Sequence, residues 1–186
     1  MDTPLYDQIN YAKAYRHNRY GAAQWVMNHP ESMPELLEYC FKHKLKISYK
    51  ANWSLEFVCI EKLELLYPYF NLFFKNLPEV YQHQSVRALS HICEIICIQF
   101  YKRNNPAVME VFLQPHKEKL VECCFDWLIT EQKIACQARA MLCLYYLGTE
   151  FNWIYPELKQ ILENNMPSGS PGYKSRAKKI LAKIKV

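Results

Sequence analysis

Four cations recur at related places in the chain. Lys50, Arg87, Arg139 and Arg176 each stand directly before an alanine. Aligned on one surface, such charges would attract phosphates or an acidic peptide. Turned across to a neighbouring element, they would pair with carboxylates, and Glu56, Glu94 and Asp126 are available. The C-terminal stretch is also basic: no acidic residue follows Glu163, whereas Lys174, Arg176, Lys178, Lys179, Lys183 and Lys185 do. That run suits contact with nucleic acid or an acidic partner. It equally suits the solvated face of a terminal helix, whose C-terminal dipole end favours lysine. Trp25, Trp53, Trp127 and Trp153, with 14 tyrosines, could stack on a ligand or fill a core. Trp53 lies close to Lys50, and Trp127 follows Asp126.

Cysteine and histidine offer less. Cys40 and His43 are spaced i, i+3; Cys93 and Cys97 are spaced i, i+4, with His91 nearby. Zinc needs four converging ligands, and one helical pair supplies two, so no metal and no cofactor is expected. The 8 cysteines sit among apolar residues with no Cys-x-x-Cys, and they read as reduced core thiols. A nucleophilic thiol needs a cationic, exposed setting, and Cys136 near Arg139 is the nearest approach to one. The glycine-rich phosphate loop, His-Glu-x-x-His and Gly-x-Ser-x-Gly are all missing. No catalytic residue is assigned.

The elements that must carry these residues are helices. Thr3-Pro4 and Ser170-Pro171 read as N-caps followed by proline at the first helical position, and Ser32 to Glu35 has capping-box spacing. Apolar residues follow helical periods, as in Ile134, Ala138, Met141, Leu142 and Tyr145, or Ala177, Ile180, Leu181 and Ile184. The spacing predicts helices over 4–14, 17–28, 32–44, 47–60, 63–76, 83–102, 115–129, 132–147, 152–165 and 171–185. A longer break runs from Lys102 to Gln114, and another from Asn164 to Gly172. Short connections make neighbouring helices antiparallel.

A degenerate repeat underlies the pattern. The cation–alanine pairs are 37, 52 and 37 residues apart. Four residues past each alanine stands Leu55, Ile92, Leu144 or Leu181; seven past stands Val58, Ile95, Leu147 or Ile184. The small residue permits close approach of a neighbouring helix, and the two larger ones fill the seam. Leu66-Tyr67-Pro68 and Ile154-Tyr155-Pro156 echo one another in the partner helices. Helical pairs repeating at this period mark α-solenoids.

On these residues the chain resembles HEAT-like repeat proteins over roughly residues 30–185. The Asp that usually precedes a Val-Arg pair is missing, and Ser85-Val86-Arg87 comes nearest. The resemblance implies an all-α fold, an α-α superhelix of HEAT/ARM type with about four to five antiparallel hairpins. It also implies that the arginines bond across to neighbouring repeats. HEAT-like DNA alkylation-repair glycosylases flank a damaged nucleotide with aromatics and a carboxylate; no assembled Asp–Arg–Trp set stands out here. Gly169-Ser170, Pro171 and Tyr173-Lys174 faintly resemble the flexible-loop signature of adenylosuccinate lyases. The second serine, the Met before the proline and the Asn after the lysine are absent, so no lyase active site is implied.

Composition bounds the rest. With 186 residues, 51% of them hydrophobic, and only 4 glycines, the chain suits one packed helical-repeat domain over 1–186. No apolar window spans a membrane and no secretion signal opens the chain, which points to the cytoplasm. The net charge of +5 permits an anionic partner without requiring one. The expected function is non-catalytic binding of a protein or peptide. Nucleic acid is the alternative ligand, and the oligomeric state stays open. The residues expected at the binding surface are Lys50, Arg87, Arg139, Arg176, Lys174 and Trp53.

Overall fold

The computed structural model describes residues 3–42 and 44–184, and among them every regular element is helical. The chain forms two compact units, one up to Ile95 and one from Ile96. No helix is long and apolar enough to cross a membrane among the described residues.

The first unit holds α1 (Pro4–Ile9), α2 (Arg16–Asn28), α3 (Met33–Phe41), α4 (Ile47–Glu61), α5 (Phe70–Asn76) and most of α6 (His83–Cys97). Thr3 caps α1 as its sequence indicates, its hydroxyl accepting the Tyr6 amide at 3.2 Å. The helix ends at Ile9, five residues short of the expected end, and α2 begins at Arg16. α4 is the centre of the unit, packed by both α2 and α3. Its buried residues surround much of its circumference and include polar ones: Ser48, Asn52, Ser54 and Glu56. Two of these solve a helix-end problem. The Cys40 carbonyl lies in the last turn of α3, where no intrahelical donor remains. It accepts from the Ser48 hydroxyl at 2.7 Å and from the Asn52 amide at 3.0 Å.

Two expectations for this unit fail in detail. Ser32 and Glu35 do not form a capping box: the Ser32 hydroxyl donates to the His29 carbonyl at 2.6 Å, and Glu35 accepts from Thr3 instead. The predicted helix over 63–76 is a 3-10 segment, Leu63–Tyr69, followed by α5. Pro68 lacks the amide an α-helix would need there. Phe70, Phe73 and Phe74 then pack edge to face in the core.

The second unit holds α7 (Pro106–Val111), α8 (Gln114–Ile129), α9 (Ile134–Leu147), α10 (Ile154–Asn165) and α11 (Pro171–Leu181). α6 ends in a π-helical turn, Ile98–Lys102, and the break expected after Lys102 contains α7. Asn105 caps α7, its side-chain oxygen accepting from the Ala107 amide at 3.1 Å. The residue before it, Asn104, has φ 49°, a left-handed conformation that asparagine tolerates. Ser170 caps α11, accepting the Tyr173 amide at 3.2 Å.

The repeat pattern matches the packing. Ala51, Ala88, Ala140 and Ala177 are all fully buried. Gly172 opens α11 against Ile134 at the start of α9, where a Cβ would sit 3.2 Å from the Ile134 methyl. Lys183 just past the end of α11 lies over Tyr145 near the end of α9. The two helices therefore run parallel and in register, as equivalent helices of successive hairpins must. In the first unit α6 likewise follows α4: Trp53 meets Gln84, and Glu56 meets His91. The stripe expected on α9 is rotated. Ile134 is exposed, and the buried face is Cys136, Ala140, Met141, Cys143, Leu144 and Leu147.

Candidate functional site

Lys50 sits in the second turn of α4 and reaches back towards the α1–α2 connection. Its Nζ donates to the Tyr11 carbonyl at 2.7 Å and to Asn10 Oδ1 at 3.3 Å, and it lies 5.3 Å from the Tyr11 ring centre. Trp53, one turn on, donates its indole N–H to the Gln84 carbonyl at 3.2 Å and packs edge to face on Tyr49. Its face is covered by Arg19 of α2, whose guanidinium carbon is 5.3 Å from the Trp53 ring centre and 5.7 Å from that of Phe57. Arg16 lies over Phe57 at 5.9 Å, and Lys13 over Tyr15 at 5.7 Å.

α2 and α4 thus build a cation–aromatic surface. Among the described residues, Lys13, Arg16, Arg19 and Lys50 have no carboxylate partner within ion-pair distance. Arg19 Nε is buried with no hydrogen-bond acceptor. Burial raises the Tyr11 phenol well above its usual range, and the Arg19 charge opposes that shift. Beside the cations lies a depression of about 560 Å³ lined by Arg16, His17, Tyr20 and Glu61. Tyr15, the residue before α2, makes no side-chain cap to the first amides of the helix.

Of the residues expected at a binding surface, this arrangement unites Lys50 and Trp53. Arg87 is half-buried on α6 and engaged by neighbouring groups. In the second unit, the parallel packing of α9 and α11 carries Arg139 to about the level of Arg176. Arg139 is likewise engaged, and its charge acts on the Cys143 thiol. Lys174 and Arg176 are half-buried, while Lys178, Lys179 and Lys183 are exposed on or just beyond α11. Lys185 lies outside the described residues.

Arg16 and Arg19 were not anticipated, although a signal was present. Residues 8–30 contain no acidic side chain, and Lys13, Arg16 and Arg19 recur at helical spacing within them.

Other groups of chemical interest serve packing. Trp127 is buried, so it offers no stacking platform. All eight cysteines are buried free thiols. Hydrogen bonds with Cys124 and Cys97 pull Cys143 below the usual thiol range against the effect of burial, but the group is fully enclosed. His91 Nδ1 lies 2.7 Å from Glu56, itself only 5% exposed. His43 lies outside the described residues. No three His, Cys, Asp or Glu residues converge in a metal-binding arrangement among those described. In the lyase-like segment the Ser170 hydroxyl is occupied as the α11 cap and Tyr173 is buried. Lys117, 7% exposed, pairs with both oxygens of Glu150 at 2.8 Å and lies 4.0 Å from the Phe100 ring centre.

A family model described as a HEAT repeat domain matches residues 14–184. Neither a curated protein nor a solved structure matches the chain.

Proposed function

This chain belongs to the HEAT repeat domain family, and from that premise we propose that it is a non-catalytic module that binds an acidic protein segment through the α2–α4 surface. One observation carries the reading: Lys13, Arg16, Arg19 and Lys50 lie over aromatic rings, and among the described residues none of them forms an ion pair. Each ring face contributes about 0.5–1 kcal/mol and restrains the cation without neutralising it. A carboxylate arriving from a partner therefore meets a full charge whose side chain is already partly ordered. The amino terminus of α2 adds its own positive partial charge. Basic residues in that first turn are unfavourable to the isolated helix, and a bound anion relieves the conflict.

In this reading Lys50 and Trp53 support the surface. Arg87, Arg139, Arg176 and Lys174 belong to a subsidiary basic set. Residues 1–186 act as one helical-repeat domain, supported by the alanine repeat running through both units and by a unit boundary that falls inside α6. A reducing, cytoplasmic setting accords with eight buried free thiols. Nucleic acid is the second reading, favoured by the exposed Lys178, Lys179 and Lys183 on an acid-free terminal stretch.

Anisotropy titrations with a labelled Glu-rich peptide and a labelled single-stranded oligonucleotide separate the two. The peptide is expected to bind, to weaken as salt is added, and to lose about tenfold in affinity in Lys13→Glu/Arg16→Glu. Equal binding by wild type and that variant would overturn the reading. Oligonucleotide binding that only Lys178→Glu/Lys179→Glu abolishes would favour the second.

A further inference from the structure

We propose that the cleft between α8 and α10 is a separate docking site, and that its occupant is a basic partner segment carrying large apolar anchors. The cleft is opposite in charge to the α2–α4 surface and lies wholly within the second unit. Glu118, Glu122, Phe125 and Ile129 recur at helical spacing along one face of α8. Across from them stand Phe151 and Trp153, then Glu157 and Ile161 of α10. Trp153 is 54% exposed, and Ile129, one turn beyond Phe125 on α8, is 65% exposed. Trp153 is stacked on Phe125, with ring centres 5.6 Å apart and planes 19° from parallel. The indole is thereby held in place while much of its surface remains open.

Two adjoining depressions, each of about 350 Å³, share Phe125 and Trp153. Each lies at the small end of the range that binds organic groups and suits one large apolar side chain. Their floor is apolar: Val121, Phe125, Phe151, Trp153 and Ile161. Their rim is acidic, with Glu118 and Glu122 on one wall and Glu157 on the other. Lys119 pairs with Glu122 at 2.8 Å, and Lys159 lies two residues from Glu157 and so on another face of α10. Carboxylates therefore outnumber ammonium groups around the floor. An amphipathic helix with Leu or Phe on one face and Lys or Arg flanking it matches both features. In a second copy of this chain, α11 matches only one of them: it supplies cations, but its apolar face, Tyr173, Ala177 and Ile180, is buried in its own unit.

The test uses the full chain and three labelled probes of equal length: an amphipathic Leu/Lys helix, its Leu/Glu counterpart, and an all-Lys peptide. The Leu/Lys helix is expected to bind about tenfold more tightly than either control. Trp153→Ala is expected to weaken it about fivefold, and Glu122→Lys/Glu157→Lys about tenfold, with unchanged helical circular dichroism. Lys13→Glu/Arg16→Glu is expected to leave this binding intact, so that failure here and failure of the α2–α4 reading are told apart. All-Lys binding as tight as Leu/Lys would overturn the proposal, as would an unchanged affinity in Trp153→Ala. A wild-type dimer in sedimentation that Glu122→Lys/Glu157→Lys dissociates would also overturn it, by making the occupant a second copy.

Discussion

Lys117 shows how a single side chain is fixed by its surroundings. A lysine 7% exposed needs a counter-charge, and Glu150 supplies both carboxylate oxygens while Phe100 receives the ammonium on its face. Glu150→Gln leaves that ammonium without its counter-charge and is expected to destabilise the chain by about 2 kcal/mol. The figure falls below that for a fully buried pair because Glu150 keeps a third of its side chain in solvent. Lys117→Met removes the charge and keeps the packing on Phe100, so it is expected to cost less than about 1 kcal/mol. Urea unfolding of the two variants decides the matter: a larger loss in Lys117→Met would mean that the pair acts by attraction, not by relief of burial. None of this was legible in the sequence. Lys117 and Glu150 are 33 residues apart, and neither belongs to a repeat position.

The helix pairs are legible where small residues enforce contact. Spacing alone marks Ala51, Ala88, Ala140 and Ala177, and each is fully enclosed. Ala140→Leu forces the seam of α9 open and is expected to cost about 1–3 kcal/mol or more. Ala135→Leu, on the exposed side of the same helix, is expected to change stability by less than about 0.5 kcal/mol. Equal melting temperatures would sever the link between the alanine period and close packing. What escaped the sequence reading has local causes. The helix over 63–76 is divided by Pro68, whose missing amide favours the 3-10 turn before α5. α7 spans only Pro106–Val111, too short for an apolar period to register. The Ser32–Glu35 spacing satisfied the capping-box pattern, yet Thr3 took the carboxylate, a contact 32 residues away along the chain.

At the scale of the whole molecule, family and helical class could be read from the sequence, but the pairing of cations with aromatic rings could not. The acid-free terminus after Glu163 is conspicuous as a run. The acid-free span of residues 8–30 holds fewer cations, and the rings beneath Arg16 and Arg19 are those of Trp53 and Phe57 of α4, which only folding brings there. Where an acidic partner lands is therefore the decisive quantity. Amide hydrogen exchange of the full chain, with and without a Glu-rich peptide at saturating concentration, reads this directly. Slower exchange is expected across residues 11–20 and 50–57, including the first turn of α2. Protection confined to residues 171–184, with 11–20 unchanged, would contradict the assignment.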